Sequence, residues 1–289
     1  MAALNKALHR VTIGQVATYG IIFIILILVM APLLWIFLAS LKTQNEIYQF
    51  KWLPDDAQWG NYLEAWTTYN FGRYFFNTIF ISGINVVMGA FVASFTAFAL
   101  ARLNFPGRNI LFGLVLGTMM LPFAAYMIPS FVLFRWLGWI DTYTVLTVPF
   151  FLAVPGFFIF LMRQYYMSIP REFDEAAKID GCGPFRIYWY IVLPISKPAI
   201  TTISIYIFMF NWEDLLRPVL FINSASLRTL SVGLALLNQT LEEAPKHHLM
   251  MAITVIFIIL PILVYLVFQR YFHEMGQIGM GSVSKKESD

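Results

Sequence analysis

Six stretches of this chain stay apolar over the length that a bilayer demands, and no other feature restricts its fold as much. They are Tyr19–Leu41, Tyr74–Ala101, Ile110–Ile128, Thr144–Met162, Pro198–Phe221 and Leu249–Phe268. A hydrocarbon core takes about 20 such residues per helix. The runs are continuous rather than short and alternating, which excludes a membrane barrel. Composition agrees: charged residues make up 12% of the chain and hydrophobic ones 59%, where a soluble domain carries roughly 25% charge. The chain therefore reads as an all-α, polytopic membrane protein with six transmembrane helices. The first run is too long for a cleavable signal peptide, and no small-residue cleavage site follows it.

Orientation follows from the basic residues between the runs. With the N-terminus in the cytosol, 12 Lys and Arg fall inside and 7 outside, which favours both termini in the cytosol. The fifth run is the least clean, since Asn211, Trp212, Glu213, Asp214 and Arg217 interrupt it. The net charge of +3 suggests no nucleic acid. The single cysteine, Cys182, admits no intrachain disulfide and is most simply a free thiol in a reducing compartment.

The longest internal connection, 168–198, holds the densest cluster of charge, in "REFDEAAKIDGCGPFRIYWYIVLPISKPA". Pro170 is placed to open a helix. Glu172, Asp174 and Glu175 crowd its first turn, where the helix dipole favours acids. Asp174 and Lys178 are spaced to pair. Gly181 supplies a left-handed stop, and Pro184 opens a second short helix. The first helix sets Phe173, Ala176, Ala177 and Asp180 on one side; the second presents Phe185, Tyr188 and Trp189 beside Arg186. Such a surface suits a groove on a partner protein or rests on lipid as an interfacial helix, and the residue types alone leave both readings open.

The stretch "EAAKIDGCGPFRIYWYIVLP" resembles the EAA loop of the permease subunits of ABC importers, at Glu175, Ala176, Ala177, Gly181, Ile191, Leu193 and Pro194. "SLK" at Ser40–Lys42, "FFNT" at Phe75–Thr78, "ARLNFPGR" at Ala101–Arg108, "MLP" at Met120–Pro122, "LGWIDTY", "TLSVGL" at Thr229–Leu234 and "QRYF" at Gln269–Phe272 resemble the carbohydrate-importing, maltose-type, six-span members, in order over most of the chain. The resemblance implies a type I importer permease, at home in the bacterial inner membrane. Its EAA loop would be a coupling helix docked on a cytosolic ATPase, with Asp174, Glu175, Ala176, Ala177, Asp180, Gly181 and Phe185 as contact residues. It further implies a second homologous permease, two ATPase subunits and an external solute-binding protein. The chain has no Walker A motif and is expected to be no enzyme and to carry no cofactor, ATP and magnesium belonging to the ATPase subunits. No catalytic or metal residues are expected, and adjacent His247 and His248 do not share a helix face.

Charges within a span are functional candidates by default. Trp212, Asp214 and Pro218 match the family's pattern at the end of the fifth span, while Glu213 and Arg217 depart from it, four residues apart and able to neutralise one another. Asn211, Trp212, Glu213, Asp214 and Arg217 are the expected translocation-pathway residues. The external stretch Asn223–His248 resembles the loop that reaches toward the binding protein, with Asn238 and Gln239 at its tip. The expected division is 1–73 (tail, first span and external loop), 74–270 (permease domain) and 271–289 (cytosolic tail), with "SVSKKESD" disordered. The function so read is ATP-driven import of a sugar or oligosaccharide. The alternatives are a secondary transporter driven by an ion gradient, for which broken helices would be placed symmetrically in two halves, and an ABC permease for a non-sugar solute such as glycerol phosphate.

Overall fold

The computed structural model describes residues 13–49, 51–237 and 246–284, which are helical throughout their regular segments. In chain order these are α1 (Ile13–Ser40), α2 (Gln44–Tyr48), α3 (Gly60–Thr68), α4 (Phe71–Arg102), α5 (Arg108–Met119), α6 (Phe123–Trp136), α7 (Thr144–Leu152), α8 (Gly156–Ser168), α9 (Glu172–Ile179), α10 (Pro184–Ile187), α11 (Leu193–Ile195), α12 (Lys197–Trp212), α13 (Leu216–Phe221), α14 (Leu230–Leu237) and α15 (His247–Ser284). A π turn, Tyr188–Val192, joins α10 to α11.

Among the described residues, four helical stretches are long and apolar enough to cross a membrane alone: Ala17–Ser40, Phe71–Arg102, Thr144–Ser168 (α7 and α8 together) and His247–Gln269. Two bent pairs raise the number to six. Helices α5 and α6 meet at 101°, and the Pro184–Ile195 segment meets α12 at 79°. The expected third span is thus two helices, split at Met120–Pro122, because Pro122 has no N–H to continue the ladder of α5. The expected fifth span ends at Trp212; residues 213–215 are non-helical and α13 restarts at Leu216. The sixth runs on to Ser284, so "SVS" of the tail expected to be disordered is helical.

The chain forms two compact units. Of the described residues, the first comprises 13–49, 51–69, 237 and 246–256. Here the segment after α1 folds tightly around polar groups. Lys42 is fully buried, donates to Lys51 O and lies 4.3 Å over the Trp35 ring. Burial pushes its ammonium pKa down. Asn61 donates to Ser40 O at 2.8 Å and to Lys42 O at 2.9 Å. Thr43 and Glu46 form a reciprocal capping box on α2. At the start of α15, His248 Nδ1 meets Gln44 Oε1 at 2.7 Å, while His247 sits edge-on to Tyr48, so the two imidazoles have different partners.

Of the described residues, the second unit comprises 70–236 and 257–284. Its axis is α4, 32 residues or about 48 Å long. One face carries Gly89, Ala90, Ala93, Ala97 and Ala101, small residues that let α8 and α12 approach closely. Phe158, Ile159, Met162, Tyr166, Ile203 and Ile207 fill the space opposite. A Cβ on Gly89 would meet Ile207 at 3.1 Å and Phe150 at 3.2 Å.

Candidate functional site

Two polar features interrupt this apolar unit. The first is the hairpin after α8. Helix α9 begins at Glu172 with Arg171 as its N-cap, so Pro170 lies just outside rather than opening it. Glu172, Asp174 and Glu175 occupy the first turn, as expected. The helix ends in a Schellman arrangement: Cys182 N–H donates to Ala177 O at 2.9 Å, Gly181 N–H to Lys178 O at 3.0 Å, and Gly181 takes φ +78°. Pro184 then opens α10.

The hairpin's faces differ from the expected ones. Asp174 and Ala177 turn inward and are buried, while Glu175, Ala176, Asp180, Gly181 and Phe185 are exposed, together with Phe173 and Ile179. Asp174 does not pair with Lys178. Its Oδ2 lies 3.3 Å from Arg102 Nη1 at the end of α4, because an inward-facing acid meets the cation at that helix end. Tyr188 is also buried, not displayed: its hydroxyl shares Ser94 Oγ (2.9 Å) with Tyr166 (2.6 Å). Phe185 and Trp189 remain at the surface.

The second feature is a cleft where α12 breaks. Thr78, Ile81, Leu146, Asn211, Asp214, Arg217, Pro218 and Thr229 line it, and its volume of about 10 Å³ has room for one water and not for a sugar. Arg217 pairs with Asp214, Nε to Oδ2 at 2.6 Å, rather than with Glu213. The helix expected to bring positions 213 and 217 onto one face is broken there, and Glu213 faces outward. The guanidinium also lies 4.7 Å from the Phe210 ring and 3.4 Å from Asn211 Oδ1. Trp212 belongs to the packing and not to the cleft. It is fully buried against Phe75, Phe208 and Phe257, with Nε1 donating to Phe257 O at 3.0 Å. Asn238 and Gln239 lie outside the described residues.

Two motif segments frame the cleft. Asn77 of "FFNT" donates to Ser226 O and Arg228 O, and Thr78 accepts from Leu230 N–H at 2.8 Å. Ser231 of "TLSVGL" donates to Asp214 O at 2.6 Å.

The hairpin and, apart from Thr78 and Ile81, the residues lining the cleft fall inside one match. The model of the family described as binding-protein-dependent transport system inner membrane component matches residues 85–274. The chain belongs to this family. Among its relatives, the probable ABC transporter permease protein YurM of Bacillus subtilis is 30% identical, with 96% of this chain and 92% of that one covered. The sn-glycerol-3-phosphate transport system permease protein UgpE of Agrobacterium fabrum is 32% identical, covering 93% and 96%. A solved chain of a bacterial ABC transporter that imports the acidic polysaccharide alginate superimposes with a TM-score of 0.81 at 27% identity, over 91% of this chain and 98% of that one.

As a binding-protein-dependent inner membrane component, the chain is a membrane-embedded ABC permease and not itself an enzyme. Such permeases work with a second permease, ATPase subunits and a binding protein. Two residues that organise this member, Asn85 and Ser94, escaped the sequence reading, and two more, Arg102 and Asp141, entered it only as parts of the motifs "ARLNFPGR" and "LGWIDTY". A polar residue inside an apolar run was the signal for the first two. Asp141 is more local. It takes φ +62°, and its carboxylate accepts from Asn223 N–H and from Ser224 N–H and Oγ–H, which holds its pKa below the usual range.

Proposed function

We propose that this chain forms half of the translocation pathway of an importer for a sugar or oligosaccharide, with 74–270 as the permease domain. Both termini face the cytosol of a bacterial inner membrane. The hairpin 171–187 docks on an ATPase subunit through Glu175, Ala176, Asp180, Gly181 and Phe185. Asp174 and Ala177 seat it from behind. The segment holding Asn238 and Gln239 meets the binding protein, and Asn211, Asp214 and Arg217 face the path of the solute.

One observation carries this reading: a short helix with an exposed apolar edge, Phe173, Ile179 and Phe185, is held at the end of the spans by buried contacts on its other side. A helix merely lying on lipid needs no such seat. The alginate importer named above and a diacetylchitobiose uptake permease of Streptomyces coelicolor support a carbohydrate cargo.

A second reading, an anionic solute, is favoured by the relatives, since alginate and sn-glycerol-3-phosphate are both anions, and Arg217 would meet such a solute by exchanging its partner Asp214. The test is solute-stimulated ATP hydrolysis by the reconstituted complex across neutral disaccharides, acidic oligosaccharides and sn-glycerol-3-phosphate. Stimulation by a neutral sugar supports the first reading. Stimulation by anions alone, lost in Arg217→Gln, supports the second. Uptake by this subunit alone on an ion gradient sinks both.

A further inference from the structure

We infer that Arg102 is a positioning residue that ties the hairpin to α4, so that displacement of the hairpin displaces α4 and the cleft it helps to build. The inference rests on the docking reading above. Arg102 is the last residue of α4. Its Nη1 lies 3.3 Å from Asp174 Oδ2, and its Nη2 donates to Ile169 O at 2.7 Å. The two side chains are 4% and 11% exposed. Arg102 Nε and Asp174 Oδ1 have no hydrogen-bond partner among the described residues.

A buried ion pair with unsatisfied atoms contributes little net stability, because desolvation offsets the attraction. What the pair does supply is direction. It fixes the azimuth of α9 on α4, leaving Ala176 and Asp180 outward. Eight residues back, about 12 Å along the same helix, Ser94 holds Tyr188 of the hairpin's second segment. Nine further residues back, Asn85 holds Asn211 at the cleft. One helix thus carries both ends of the linkage. A rigid α4 converts a push on the hairpin into movement of Asn85.

The experiment uses the complete transporter in vesicles, with a Cys182→Ser, Ala176→Cys parent that reports docking through a thiol-to-amine crosslinker. Arg102→Gln and Asp174→Asn are each expected to assemble and keep the crosslink to the ATPase, while solute-stimulated hydrolysis falls roughly tenfold, within the range for coupling between sites. The double variant is expected to lose no more than either single one, as partners in one interaction do. Where only one variant assembles, it alone decides. Stimulation at the parent's level, additive losses in the double variant, or loss of assembly in both single variants overturns the inference. Absence of the crosslink in the parent, whose Arg102–Asp174 pair is intact, overturns the docking reading instead.

Discussion

Asn85 donates its side-chain amide to Asn211 Oδ1 at 2.6 Å across 126 positions of sequence, and the same nitrogen donates to Leu146 O at 2.9 Å. Both asparagines are buried. Asn85→Leu removes the donor that Asn211 Oδ1 and Leu146 O share, leaving Asn211 Oδ1 only the longer 3.4 Å contact from Arg217, at a cost of about 1–3 kcal/mol. Thermal unfolding of the solubilised complex should show a clear drop. Ser82→Ala, three positions earlier, is the control: that hydroxyl is buried without a partner, so its removal should be neutral or stabilising. Equal losses in the two variants would refute the pairing.

Gly156 begins α8 where α5 comes closest. A Cβ there would meet Val115 O at 2.7 Å and Thr118 Oγ1 at 2.8 Å. Gly156→Ala is expected to destabilise by about 1–3 kcal/mol through overpacking. Gly113→Ala on α5 meets nothing within 4 Å and should gain the helix preference of alanine. Paired unfolding curves decide, and the two shifts should have opposite signs.

Glu46 gives a pH signature. Hydrogen bonds from the Asp55 and Thr43 N–H groups and the Thr43 hydroxyl hold its pKa at about 2, against a usual 4.5. The folded value lies below the unfolded one. The ionised group therefore contributes stability above about pH 4.5, and that contribution fades as pH falls toward 2. The Tm gap between wild type and Glu46→Gln should be constant at neutral pH and close on acidification. A gap that widens in acid would contradict the assignment.

Asp141 combines a left-handed backbone with three accepted hydrogen bonds. Asp141→Ala loses both the acceptors and the tolerance for that conformation. Asp141→Asn keeps the tolerance and part of the capping. The expected order of thermal stability is wild type, then asparagine, then alanine; an alanine variant as stable as wild type would rule out the clamp.

The spans were legible because bilayer length and apolar continuity are properties of sequence alone. So was the hairpin's outline: acids at its start, a glycine stop and a proline restart depend on neighbours within one turn. The faces were not legible. Tyr188 reads as a surface aromatic until Ser94 and Tyr166 are brought to it by the crossing of α4 and α8. Asp174 reads as a partner for Lys178 until Arg102 arrives from 72 positions away. The break after Met119 was hidden for another reason. Pro122 in an apolar run allows a mild kink as readily as the observed 101° bend, and only packing chooses between them.

That bend sets a condition on what surrounds it. Helices of 12 and 14 residues are about 18 and 21 Å long, each short of a hydrocarbon core of about 30 Å. At the corner, turn bonds from Met120 N–H to Gly117 O and from Leu121 N–H to Thr118 O replace the helical ladder, and acyl chains would offer no donor to any carbonyl that these bonds leave over. In the assembled transporter this corner must border a hydrated recess or lie beneath another subunit.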